Sequence, residues 1–267
     1  MRFLSLLSNT NKIKIINPNL AKNIEEQGML SSPNSFGYIF IAAEIEPEHL
    51  FKKSSYKRKI ECELKDKISL ITDIEGVQRA DLFSGFIIPP GSKEGLQLIK
   101  EKNIEIHPAK FDIVILIQSE SIYNLDVIEN NKRLIEIEEY LRDNTQRFFK
   151  TKAQNKTKIA EVDKNTNGVF LFNYFYCKNE KTVLDVWRYT AGWWTANANL
   201  TNSTPLSPLN KKCDYALINH CKWNRLIDIL PILILGRIGI IKGLNSFVLK
   251  NFTANQIVAM PVLYRLL

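Results

Sequence analysis

The order of apolar segments in this 267-residue chain occurs twice, and that duplication constrains its folding more than any single motif. Residues 36–45 form a run of strand length that is apolar except for Glu44. Residues 57–71 follow with Ile60, Leu64, Ile68 and Ile71 at helical spacing. A second strand falls within 76–90, closed by Pro89, Pro90 and Gly91, and a third spans 111–117. Residues 122–141 are helical and 147–153 make a fourth strand, so the first half reads β-α-β-β-α-β. The second half gives the same order: strand 168–176, helix 180–197, strands 202–209 and 213–220, helical material over 223–251, and a closing strand at 258–266. Phe36-Gly37 corresponds to Asn167-Gly168, and Phe111-Asp112 to Cys213-Asp214. The expected organisation is an irregular extension over 1–35, a first unit over 36–160 and a second over 161–267.

This element order is that of the ferredoxin-like split βαβ unit, so the expected fold class is α+β with two tandem ferredoxin-like units. Helices cover one face of each sheet. Strands 111–117 and 168–176 are apolar on both alternating faces, so the other face needs cover too. Packing the two sheets face to face supplies it and leaves an aromatic-lined cavity between them. With these elements, residues 36–267 resemble the dimeric α+β barrel superfamily in its tandem, pseudo-dimeric form. Its members include antibiotic-biosynthesis monooxygenase-like, stress-responsive A/B-barrel and EthD-like proteins. The resemblance implies a small-molecule enzyme working without a cofactor, of monooxygenase, cyclase or isomerase type, on a hydrophobic or aromatic anionic compound. A non-catalytic ligand-binding or stress-associated protein on the same scaffold is the alternative.

The chain carries a formal charge of +8, and its position matters more than its size. From Val186 to Leu267 there are nine basic and two acidic residues, so seven of the eight net charges lie in the last third. These basic residues are spread out, and the RNP1 pattern of RNA-recognition domains is absent, which argues against nucleic acid as partner. The apolar stretch 226–241 contains Asp228, Pro231 and Arg237 and is shorter than the roughly 20 residues of a spanning helix. It reads as a buried core helix, with a membrane-surface helix as the other reading. Cys62, Cys177, Cys213 and Cys221 have neither CxxC spacing nor clustered histidines, so neither a metal site nor a disulfide framework is expected. Residues 3–7 are too short for a signal-peptide core, and the expected location is the cytoplasm.

All four tryptophans fall between 187 and 223. On a helix, Trp187, Thr190 or Ala191, and Trp194 share one face while Trp193 points elsewhere. That stripe is either core packing or the wall of a ligand pocket, with Tyr189 beside it and Gly192 permitting close approach. His220 is the histidine placed inside a strand, whereas His49 follows a Glu/Pro loop and His107 precedes a proline. Its imidazole, with an ordinary pKa near 6.5, suits a general base, against the plainer reading of a hydrogen-bonded structural histidine. Asn173 is the lone polar side chain between Phe170 and Tyr176 and needs a hydrogen-bond partner if buried. The resemblance implies His220 as base and Asn173 as orienting or oxyanion-binding group, with Asn219 and Tyr264 as further ligand contacts. An open cavity between the sheets, with His220 and Asn173 both facing it, is the geometry such an enzyme needs.

Overall fold

The computed structural model describes residues 13–21, 30–46, 53–89, 93–101, 106–236 and 240–267. Eight strands form: β1 (Gly37–Glu44), β2 (Val77–Ile87), β3 (Ile113–Ser119), β4 (Arg147–Asn155), β5 (Val169–Tyr176), β6 (Thr204–Pro208), β7 (Leu217–Trp223) and β8 (Val258–Leu266). Helices α1 (Ser55–Ser69), α2 (Lys93–Glu101), α3 (Leu125–Glu129) and α4 (Lys132–Asn144) belong to the first half. In the second half lie α5 (Glu180–Ala198), α6 (Leu226–Leu235) and α7 (Lys250–Ala254), the last preceded by a π-helical turn over Leu244–Leu249. The strand at 213–220 is displaced toward Trp223, the helical stretch 223–251 is broken after Leu235, and α2 is an addition behind the Pro-Pro-Gly run.

The expected fold is corrected in one essential respect. Two ferredoxin-like sheets packed face to face do not form. The strands join into one closed antiparallel barrel in the order β1-β3-β2-β8-β5-β7-β6-β4, with the helices outside. The halves meet edge to edge, through Phe83↔Leu266 and Gly85↔Tyr264 on one side and Ala153↔Pro208 and Asn155↔Leu206 on the other. Stacked sheets would leave β2, β4, β6 and β8 as edge strands with unpaired N–H and C=O groups. Edge joining pairs them and removes every edge.

Closure gives each strand an inward and an outward face. An eight-stranded barrel is just wide enough for side chains to fill it, and here rings fill it. Phe40, Phe83, Phe111, Phe170, Phe172, Tyr174 and Tyr264 are each at most 1% exposed. Phe172 alone meets Phe40, Phe83 and Tyr264 at centroid distances of 5.7, 5.1 and 5.2 Å. The outward faces are covered by helices: Ile39, Ile41 and Ile115 lie under Ile60, Leu64, Leu134 and Ile137 of α1 and α4. Leu171, Phe175, Leu217 and Leu263 lie under α5 and α7.

Lys57 on α1 is buried in this outer layer, donating to the Gly85 carbonyl at 3.1 Å with Asp112 Oδ1 at 3.8 Å. Burial lowers the Lys57 pKa and raises that of Asp112, and each charge opposes the other's shift. The extension is tied down where it is described. Lys14 exchanges backbone bonds with the Asn255 side chain, and Ile16 does so with Asn251.

Because Phe172 packs against rings on three sides, Phe172→Ala is expected to cost about 3–5 kcal/mol in denaturant unfolding. A loss below about 1 kcal/mol would mean that the interior is not close-packed around it.

Candidate functional site

Strand parity decides which of the candidate residues can act together. On β5, Phe170, Phe172 and Tyr174 point into the barrel, whereas Leu171, Asn173 and Phe175 belong to the outward layer. β7 pairs with it in register, Phe172 opposite His220 and Asn173 opposite Asn219. His220 therefore faces the interior and Asn219 the exterior. His220 and Asn173 lie on opposite sides of one sheet, and no single small molecule reaches both.

His220 lies flat against Phe172, with ring centroids 5.4 Å apart and planes 10° apart. It is 1% exposed, and its Nδ1 has no partner. Burial above all, then the nearby Lys164 charge, pushes its pKa down to about 3, while a hydrogen bond to the Thr204 backbone acts the other way. Near neutral pH it is an uncharged ring in a packed core. Tyr264 is also interior, donating to the Phe111 carbonyl at 2.6 Å and lying 3.0 Å from the Tyr174 hydroxyl.

The other candidates meet on the outside of the barrel, beneath α5. This helix starts at Asn179, whose side chain accepts from the Thr182 amide, and has Glu180 in its first turn. It stops at Asn199 in the left-handed conformation, φ 47°. Trp187, Thr190, Ala191 and Trp194 fall on one face and form the roof of a slot against the barrel wall. Asn173, Asn219 and Cys221 form its floor, with Leu249 and Phe252 at one side. The slot is narrow, with a cavity volume of about 50 Å³, and runs on past Asn173 and Trp194 to a second lobe of about 50 Å³ lined by Pro89, Leu233, Leu244 and Pro261.

Two amides give the slot its polarity. Ser203 Oγ donates to Asn219 Oδ1 at 2.8 Å, so the Asn219 NH2 is the end that can donate to a ligand. Asn173 Oδ1 is buried without a partner, an arrangement that carries a desolvation cost until something donates to it. Thr190 contributes little polarity, because its hydroxyl donates back to the Val186 carbonyl at 2.9 Å. Cys221 is the titratable group among the described lining residues, and burial pushes its thiol pKa up.

The structure thus brings together Asn173, Asn219, Trp187 and Trp194 and separates them from His220 and Tyr264. Tyr189 stands outside the lining, half-buried against Phe247 at 5.5 Å. Trp193 packs on the turn at Gly243, whose positive φ of 102° and contact with the indole leave no room for a Cβ. His107 sits by the Glu44 carboxylate at 3.3 Å, and His49 lies outside the described residues. Ser203 is a site residue that sequence reasoning misses: its only signal is that a buried Asn219 needs a donor. Among the described residues no group of three or more His, Cys, Asp or Glu is placed to hold a metal ion, and no helix is long and apolar enough to cross a membrane.

No protein-family model matches the chain, and no curated protein matches it. Its fold does have counterparts among solved structures. An anthrone oxidase-like protein is similar with a TM-score of 0.57 at 9% identity, over 90% of this chain and 94% of that one. A dye-decolorizing protein from V. cholerae gives 0.49 at 8% identity, over 90% and 95%. A heme-binding protein from Thermus thermophilus gives 0.45 at 8% identity, over 90% and 94%. The first likeness shows a shared fold over nearly the whole of both chains.

The environment of His220 sets a pH dependence. Unfolded, the imidazole takes up a proton near pH 6.5; folded, it stays neutral down to about 3. Its contribution to stability is complete above pH 6.5 and is lost as pH falls from 6.5 toward 3, at about 1.4 kcal/mol per pH unit. Denaturant unfolding of His220→Gln is expected to show a shallower slope over that window. An unchanged slope would mean that the folded imidazole is protonated like the unfolded one.

Proposed function

We propose that the chain binds a hydrophobic, ring-bearing small molecule with a hydroxyl donor in the slot under α5 and acts on it as a cofactor-independent oxygenating enzyme. One observation carries this reading: Asn173 Oδ1 is an unpartnered acceptor on the floor of an aromatic slot. A substrate hydroxyl satisfies it, the Asn219 NH2 faces a neighbouring oxygen, and Trp187 and Trp194 lie against the rings. The supported chemistry draws its electrons from the substrate. An activated ring CH2 reacts with dioxygen; one oxygen atom enters a new C=O, and the other leaves as water with both hydrogens. The proton released on activation goes to solvent, because burial keeps the Cys221 thiol protonated.

Heme does not fit this slot. Among the described lining residues there is no histidine to serve as axial ligand, His220 lies on the opposite face, and the one cysteine keeps its proton. A non-catalytic carrier is the second reading, favoured by the lack of ionisable groups in the lining other than Cys221.

Tryptophan fluorescence under argon, titrated with 1,8-dihydroxyanthrone, tests the reading. Asn173→Leu is expected to weaken binding about tenfold, equivalent to ~1.4 kcal/mol, while His220→Gln leaves it unchanged. Equal binding by Asn173→Leu and the unmodified chain would refute the site. When air is admitted, quinone formation above the uncatalysed rate marks the enzyme, and binding without it marks the carrier.

A further inference from the structure

Helix α6 has an inner and an outer side, and only the inner one is explained by the slot. Leu233 lines the slot's extension beside Leu244 and Leu249, and Ile229 and Ile232 are buried. Ile227 and Ile234, seven residues apart and so on one face, are 60% and 52% exposed. Ile240 continues this stripe past the helix end, where its amide donates to the Leu235 carbonyl at 2.9 Å, and it is 65% exposed. Half-buried Leu230 and Pro231 fill the face between Ile227 and Ile234. A β-branched aliphatic row open to water is costly, and nothing in the slot's chemistry requires it.

The charges beside the row are basic or neutralised. Arg225 and Asp228 pair at 2.9 Å at the start of α6, where the Arg225 amide also donates to the Asp228 carboxylate at 3.0 Å. Lys242, two residues beyond Ile240, is exposed and has no partner among the described residues. Lys250, at the start of α7, is likewise exposed and without a partner among them. The three isoleucines offer on the order of 300 Å² of apolar surface, well below the roughly 800 Å² per partner of a stable protein interface. That amount suits shallow insertion of an interfacial helix into a bilayer.

We infer that the outer face of α6, with Ile227, Ile234 and Ile240 and the adjoining Lys242, docks on an anionic lipid membrane surface. The face backs directly onto the slot's extension, so a lipid-dissolved hydrophobic compound enters beside Leu233 and Leu244 without crossing water. This route rests on the proposed slot, but the docking itself does not require a ligand.

Co-sedimentation of the full chain with phosphatidylcholine vesicles, with and without phosphatidylglycerol, tests the inference. The expected result is binding to the phosphatidylglycerol vesicles that falls with added salt. The double variant Ile227→Ser/Ile234→Ser should lose about tenfold in partitioning, and Lys242→Glu several-fold. Both variants should retain the thermal unfolding midpoint and the hydroxyanthrone affinity of the unmodified chain, since the altered side chains are exposed. The inference is overturned if neither vesicle binds, or if binding survives both variants. It is also overturned if sedimentation equilibrium shows self-association that the double variant abolishes, which would make a second copy the occupant. Vesicle binding and hydroxyanthrone binding are measured separately, so failure of one is distinguishable from failure of the other.

Discussion

The backbone hydrogen bonding that closes eight strands into a ring is the constraint on which everything else depends. Once β2 meets β8 and β4 meets β6, no strand has a free edge and every strand has an inward and an outward side. The inward side is a small, fixed volume that aromatic rings fill. The outward side is where helices lie, and only there can the layers part enough to admit a ligand. A side chain's parity along its strand therefore decides whether it serves packing or binding. Asn173 and Asn219 face the slot, and one residue away Phe172 and His220 belong to the core.

This explains what the sequence disclosed and what it withheld. Periodicity locates nearly every strand and most helices, because apolar faces must be spaced at two or 3.6 residues wherever they end up. The helical face of Trp187, Thr190, Ala191 and Trp194 is equally legible, since it depends on spacing alone. What strand order leaves open is how two four-stranded sets combine. Edge joining and face packing both bury strands that are apolar on both sides, and only the hydrogen bonds at Phe83↔Leu266 and Ala153↔Pro208 distinguish them. The choice matters at His220. With sheets stacked around an open cavity, a strand histidine there is a candidate base. In a closed barrel filled with rings it is a neutral core residue stacked on Phe172.

The charge of the second half is also partly redistributed by folding. Lys222 is buried against Asp163 at 2.9 Å, Arg188 pairs with Asp185 and Arg225 with Asp228. Lys211, Lys212, Lys242 and Lys250 remain exposed and without an ion-pair partner among the described residues, and Lys242 lies two residues beyond Ile240.

The most direct test of the account is nuclear magnetic resonance of the side-chain amides and histidine rings during titration with 1,8-dihydroxyanthrone under argon. If the ligand lies under α5, the side-chain amide signals of Asn173 and Asn219 move while the His220 ring signals stay in place. Movement of His220 with stationary Asn173 and Asn219 signals would place the ligand inside the barrel and contradict the assignment of the site to the outer face.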